Sequence, residues 1–204
     1  MNYYMMNKPS GYLTANGDRT RPTVMEFIPE ELRGKIMPVG RLDMDTTGLL
    51  IFTDDGRLTP ALMHPDRHVE KEYFFYAIGR LTDERIASLE GGVEIGPCEG
   101  LTKPAEYRTV WSGTVSDISA YLPERRRMKY LKNPDGPAFA GVLKIHEGKK
   151  HQVKLMLRAV DCKIVKLRRI SVGGLRIDPS LPEGGIRRLT PEEEELITSY
   201  ICIE

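Results

Sequence analysis

Apolar and polar residues follow two different periods along this chain, and each change of period marks an element. Tyr3 to Asn7 is an aromatic and apolar run stopped by Lys8-Pro9-Ser10-Gly11, which predicts a strand entering a turn. Val24, Phe27 and Ile28 give Thr23 to Ile28 the apolar face of a short helix, ended by Pro29. Leu49 to Phe52 is continuously apolar between Gly48 and the turn signal Asp54-Asp55-Gly56, as in a short buried strand. Leu58, Leu62 and Met63 predict a helix over Asp55 to His64. Tyr73, Phe74, Phe75 and Tyr76 suit a pleated surface, so Lys71 to Ile78 reads as a strand. Thr82 caps a helix with Ile86 and Leu89 inward, closed by Gly91-Gly92.

Val93 to Ile95, Leu101 to Tyr107 and Val110 to Trp111 look extended, whereas Ser112 to Phe139 shows no period and reads as an irregular insertion over about 112–139. Val142 to His146 is a further strand. Beyond it Val153, Met156, Leu157 and Val160 fall at helical spacing, with Lys150, Lys154 and Arg158 as a basic stripe on the other side. Ile164 to Val172 reads as a basic strand broken by Gly173-Gly174. Thr190-Pro191-Glu192-Glu193 opens a last helix through Ile201 with a capping box and a first-turn proline. Strands and helices mix without a strict βαβ rhythm, which predicts an α+β fold.

A chain of 204 residues with 40% hydrophobic content can bury a real core, and no apolar run approaches the roughly 18 residues a membrane helix needs. The expectation is a soluble cytoplasmic protein. Cys98, Cys162 and Cys202 are odd in number and far apart, which argues against a disulfide framework and a zinc site. His64, His68, His146 and His151 lack ligand spacing, so no metal is expected. Between Lys144 and Arg176 ten Lys or Arg face only Glu147 and Asp161, a net of +8. The whole chain carries +1, so the remainder carries −7. A basic segment on an acidic chain is the footprint of a polyanion-binding face.

The chemistry is expected in the loop from Val39 to Gly56. Gly40 and Gly48 can take backbone angles closed to other residues, so a tight loop between them presents Arg41, Asp43 and Asp45. Asp43-x-Asp45-x-Thr47 invites comparison with haloacid-dehalogenase-type phosphotransferases. Those place the motif after a buried strand, whereas here the apolar run follows it.

A wider set of motifs fits better. Gly40-Arg41-Leu42-Asp43-Met44-Asp45-Thr46-Thr47-Gly48, with Asn7-Lys8-Pro9-Ser10-Gly11, Glu70-Lys71-Glu72-Tyr73 and Glu147-Gly148-Lys149-Lys150-His151-Gln152-Val153-Lys154, resembles the ribosomal RNA pseudouridine synthases. Leu101-Thr102-Lys103-Pro104-Ala105 and the segments Gly173-Gly174-Leu175 and Arg188-Leu189-Thr190 are similar to the small-subunit (16S) subgroup. The resemblance implies isomerisation of uridine to pseudouridine without a cofactor. It implies a mixed, mainly antiparallel sheet flanked by helices, in two lobes around a central RNA-binding cleft. Asp43 would be the catalytic aspartate, acting on the ribose or on the uracil ring. Tyr73 would stack on the target base, Arg41 would enter the space left by the flipped nucleotide, and Lys154 would be the basic partner. Lys149, Lys150, Arg158, Lys166 and Arg168 are the candidate RNA contacts. The implied partner is ribosomal RNA or a subunit precursor, met by a monomer.

Three features depart from the family. Its members usually carry a small RNA-binding domain ahead of the catalytic part, whereas this chain opens on the first catalytic strand, so 1–204 is expected to be the catalytic domain alone. Leu155 and Asp161 stand where relatives often have a basic residue and a glycine. The insertion is long, and its Arg125, Arg126 and Arg127 are candidates to replace missing RNA contacts. The alternative is a non-catalytic RNA-binding or ribosome-assembly module on the same fold, which would be expected to lose Asp43 or its cation.

Overall fold

A computed structural model describes residues 1–202, and the chain divides into two compact units, Met1–Lys71 with Arg168–Glu204, and Glu72–Leu167. In the first unit β1 (Tyr3–Lys8), β2 (Met37–Val39) and β3 (Thr46–Thr53) are followed by α1 (Leu58–Met63). β3 pairs antiparallel with β1 on one side, Met5 opposite Ile51, and β2 also pairs with it. Every residue of β3 is buried. This explains its unbroken apolar run: a strand covered on both faces has no polar side to alternate with.

β4 (Lys71–Ile78) runs into the second unit after its first residue, and α2 (Asp83–Gly91), β5 (Glu106–Thr114), α3 (Glu124–Tyr130), β6 (Pro137–Ile145) and α4 (Gln152–Ala159) follow there. β5 and β6 form a long antiparallel ladder from Glu106 opposite Lys144 to Thr114 opposite Pro137. The stretch read as irregular over 112–139 therefore differs in the structure. Its two ends are strand, and α3 lies between them. No period shows because each strand occupies only three residues at an end of the stretch; just before it, the register slips between Thr109 and Trp111, where Val110 is an extra residue. β7 (Lys163–Val172) begins in the second unit and ends in the first, where β8 (Leu175–Arg176), β9 (Ile186–Arg188), α5 (Pro191–Thr198) and a 3-10 turn over Ser199–Cys202 follow. Within the first unit the strand order is β7-β3-β1-β9, and within the second β5-β6-β4-β7. The pairing is mainly antiparallel, and the α+β expectation holds.

Each unit has its own core. Met5, Val39, Leu49, Ile51, Leu62, Val172 and Ile197 pack together in the first. In the second, Phe75, Ala77, Leu143 and Ile145 meet Val153, Met156 and Leu157 of α4, at about 1.5–3 kcal/mol of transfer free energy for each large side chain buried. α4 starts at Gln152 rather than earlier, because His151 adopts a left-handed backbone with φ 53°. Lys150 therefore precedes the helix, and the expected three-residue basic stripe is reduced to Lys154 and Arg158. Leu155 is half-buried against the core of this unit, where a basic side chain would be desolvated. Asp161 takes the left-handed position usual for glycine at a helix end: its N–H donates to Arg158 O, and that of Cys162 to Leu157 O. α5 starts as predicted, with Thr190 and Glu193 in a capping box and Pro191 in its first turn.

Candidate active site

The loop between β2 and β3 is fastened on both sides of Asp43. Thr14 Oγ1 donates to Leu42 O at 3.1 Å and accepts from Leu42 N at 3.2 Å. On the other side, Gly11 N donates to Met44 O at 2.8 Å. Lys8, fully buried, aims its ammonium at three carbonyls, Pro9 O at 3.0 Å, Met44 O at 3.2 Å and Thr46 O at 3.0 Å. An ammonium has three donors and no acceptor, so a pocket of carbonyl oxygens is what lets a lysine be buried here. With the backbone held at 42 and 44, the residue between them has little freedom. Asp43 is half-buried, its carbonyl accepting from Thr46 N at 3.1 Å, whereas Arg41 and Asp45 are exposed.

Both bracketing glycines are required. Gly40 has φ +72°, and a side chain there would meet Met63 Sδ at 2.5 Å. Gly48 has φ +100°, and a Cβ there would overlap the carbonyl oxygen of Arg169 and lie 2.8 Å from Arg168 Cγ. β7 thus crosses directly against Gly48, which brings half-buried Arg168 to the end of the Asp43 loop. Among the described residues, Arg168 Nε and Thr46 Oγ1 are buried with no hydrogen-bond partner. Buried Arg169 donates from Nε to Leu49 O at 2.9 Å. Lys71 is buried as well, donating to Val69 O at 2.9 Å; burial, then the neighbouring Arg169 guanidinium, pushes its ammonium down to about 8.

Asp55, at the other end of β3, is committed elsewhere. It accepts from Arg57 Nε at 2.9 Å, Arg57 Nη2 at 2.8 Å and the Tyr3 hydroxyl at 2.8 Å. The Arg57 guanidinium holds its carboxyl well below the usual range, and burial followed by the Asp55 bond pushes the Tyr3 hydroxyl up to about 12. A carboxylate so fully satisfied is structural.

In the second unit Tyr73 is half-buried on β4 and packs at the edge of that core. The loop before α4 is stapled by Glu147, whose Oε1 accepts from Lys103 N at 2.8 Å and Gln152 Nε2 at 2.7 Å. This staple sets the start of α4, and with it half-buried Lys154 and exposed Arg158. Lys149 is drawn inward: its ammonium donates to Glu99 O and to Leu101 O, the latter at 2.6 Å, so its first role is to tie down a loop. Lys150 is exposed, and Lys166 lies with Nζ 5.4 Å from the Tyr121 ring centroid. The structure thus groups Arg41, Asp43 and Arg168 in the first unit, and places Tyr73, Lys149, Lys150, Lys154, Arg158 and Lys166 in the second. Thr14 and Lys8 as anchors of the loop were missed from the sequence. Lys8 stood in a quoted motif without a role, and Thr14 carries no local signal.

Among the described residues no group of three or more His, Cys, Asp and Glu is arranged to hold a metal ion, and no helix is long and apolar enough to cross a membrane. The family described as RNA pseudouridylate synthase matches residues 2–159. The chain is 39% identical over 198 residues to the uncharacterized RNA pseudouridine synthase YtzG of Bacillus subtilis, covering 96% of this chain and 72% of the relative. It is 35% identical over 191 residues to ribosomal small subunit pseudouridine synthase A of Escherichia coli, covering 94% and 71%. Among solved structures, a crystal structure of a pseudouridylate synthase superposes with a TM-score of 0.74 at 33% identity, over 96% of this chain and 73% of that one. An archaeal Nop10–Cbf5 complex, at 16% identity and a TM-score of 0.54, shares the fold.

Proposed function

The chain belongs to the RNA pseudouridylate synthase family, and from that premise we propose that it isomerises one uridine of small-subunit ribosomal RNA to pseudouridine, with Asp43 as the catalytic carboxylate. The reaction breaks the bond between uracil N1 and ribose C1′, turns the base, joins C5 to C1′, and moves a proton from C5 to N1. A carboxylate serves either route, attack on the ribose or on the ring. In both it must be held still while the base rotates beside it. The observation that carries the assignment is the double anchoring of the loop, Leu42 on Thr14 and Met44 on Gly11 and Lys8, with Asp43 between the two fixed points. Asp45 lies beyond the second anchor and is exposed.

Tyr73 is the proposed stacking surface for the target uracil, since a ring face tolerates a base that must turn. Lys154 supplies positive charge, and Arg41, exposed on the loop, fills the stack once the nucleotide is flipped out. Arg168, half-buried beside Gly48, is the proposed contact for a phosphate next to the target nucleotide. The names of the curated relatives support the small-subunit substrate.

The test is to incubate the protein with small-subunit ribosomal RNA or a subunit precursor and to map pseudouridine by its carbodiimide adduct. Wild type should modify one site, Asp43→Asn should abolish turnover with RNA binding retained, and Asp45→Asn should remain active. An inactive Asp45→Asn beside an active Asp43→Asn refutes the residue assignment. RNA binding by wild type without any pseudouridine would instead favour a non-catalytic assembly role.

A further inference from the structure

The second unit contains a groove that none of these roles uses. Along β4, Tyr73, Phe75 and Ala77 turn toward the α4 core, while Tyr76 and Ile78 turn to the opposite face, against a separate small cluster containing Ile118 and Leu122. On that face Phe74, Tyr76, Trp111 and Tyr121 wall a cavity of about 500 Å³ floored by Gly113 and Ala140. Its volume lies within the roughly 300–1,000 Å³ of ligand sites. The aromatic walls are set by the backbone. The Val110 bulge re-aims Trp111, and the ring crosses Gly113 so closely that a Cβ there would lie 2.6 Å from Cη2. Tyr76 and Tyr121 stack with centroids 4.2 Å apart and planes 12° apart, and Phe74 meets Tyr76 edge-on at 5.1 Å.

Such a surface could be covered by protein or by nucleic acid, and its charge favours the second. Lys166 Nζ is 5.4 Å from the Tyr121 centroid, and Lys163 Nζ is 5.5 Å from that of Tyr130. From Arg108 to Lys132 the chain carries six Lys or Arg against Asp117 and Glu124. Asp117, the one acid on the groove wall among the described residues, spends Oδ2 on its own turn, accepting from Thr114 N and Oγ1 at 2.8 Å each. Rings that remain accessible, with ammonium groups beside them, are the chemistry of single-stranded RNA: bases stack on the rings and phosphates meet the cations. We propose that this groove binds one or two unpaired nucleotides of the RNA outside the target uridine, with a base on the Trp111–Tyr121 walls and a phosphate on Lys166. The inference rests on the reading that this chain acts on RNA, and it assigns the long β5–β6 insertion a role in holding it.

Trp111 is the sole tryptophan, so its emission reports on the groove directly. The full chain is titrated with single-stranded hexaadenylate, which lacks the uridine that the Asp43 site requires, and with hexauridylate. Saturable quenching of Trp111 emission by both is expected. By anisotropy of a labelled oligonucleotide, Tyr121→Ala and Trp111→Ala should bind about tenfold more weakly, while Trp111→Phe, which keeps an aromatic face, should bind near wild type. Emission unmoved by saturating RNA overturns the proposal without need of any variant. So does wild-type affinity in both alanine variants. Pseudouridine formation is scored separately, so an active enzyme with a silent Trp111 refutes the groove and leaves the proposed reaction standing.

Discussion

Replacing Gly48 by alanine should damage both the fold and the Asp43 loop, and two independent costs can be worked out. The first is conformational: φ is +100°, and left-handed backbone costs an L-residue about 1–2 kcal/mol. The second is steric. The new Cβ would overlap Arg169 O and sit 2.8 Å from Arg168 Cγ, where carbon atoms prefer about 3.5–4.0 Å. The arginine side chain can swing aside, but the carbonyl belongs to the β7 backbone and cannot. Overpacking of this kind costs about 1–3 kcal/mol, so the total is about 2–5 kcal/mol. That is a large part of the roughly 5–15 kcal/mol that stabilises a typical domain. Gly56 is the internal control: among the described residues nothing lies within 4 Å of its would-be Cβ and its φ is not positive, so alanine there should be neutral or stabilise by about 0.4–1 kcal/mol. Urea denaturation of both variants decides the matter, with pseudouridine formation measured on whatever remains folded. A Gly48→Ala protein within about 1 kcal/mol of wild type would show that β7 does not press against the loop as described.

Three further outcomes follow from particular side chains. Burial holds the Lys71 ammonium near 8 in the folded chain against 10.5 unfolded, so between those values the unfolded state binds more protons and stability rises with pH. The advantage of Lys71→Met over wild type in urea should accordingly shrink by about 3 kcal/mol from pH 8 to 10.5, and a constant difference would contradict the burial. Asp161→Gly relieves the left-handed strain at the end of α4 and gives up only a largely exposed ion pair with Arg85, so it should be neutral or stabilise by up to about 1 kcal/mol, read as a higher melting temperature. Arg158→Ala should lower the salt slope of RNA binding by about one, whereas Lys149→Ala, whose ammonium is held by two carbonyls, should leave the slope unchanged; equal losses for both would mean that Lys149 contacts phosphate.

What could be read from the sequence depended on how local the cause was. Gly40 and Gly48 betray their backbone angles because only glycine adopts them cheaply, and Thr190-Pro191-Glu192-Glu193 contains every partner of its own cap. The ladder of β5 and β6 was hidden because its partners stand about thirty residues apart and the Val110 bulge breaks the alternation that would have announced the strand. Lysines were hardest. Lys8, Lys149 and Lys154 look alike as letters, yet Lys8 and Lys149 are held by carbonyls from distant segments, at Met44 and Thr46 for one and at Glu99 and Leu101 for the other. A count of +8 over Lys144 to Arg176 therefore overstates the charge offered to RNA.

The same distinction bears on how this site can vary. The proposed catalytic carboxylate belongs to Asp43, but its posture is supplied by Thr14, Gly11 and Lys8, which precede it by 29 or more residues. Met44 O receives both Gly11 N and Lys8 Nζ, so loss of the lysine would leave that carbonyl bonded and the second anchor weakened rather than removed. Thr14 has no such backup: its one hydroxyl both donates to and accepts from Leu42, and an apolar replacement would strand a buried N–H and C=O together. Of the two fastenings, the hydroxyl is therefore the one on which the position of Asp43 depends most.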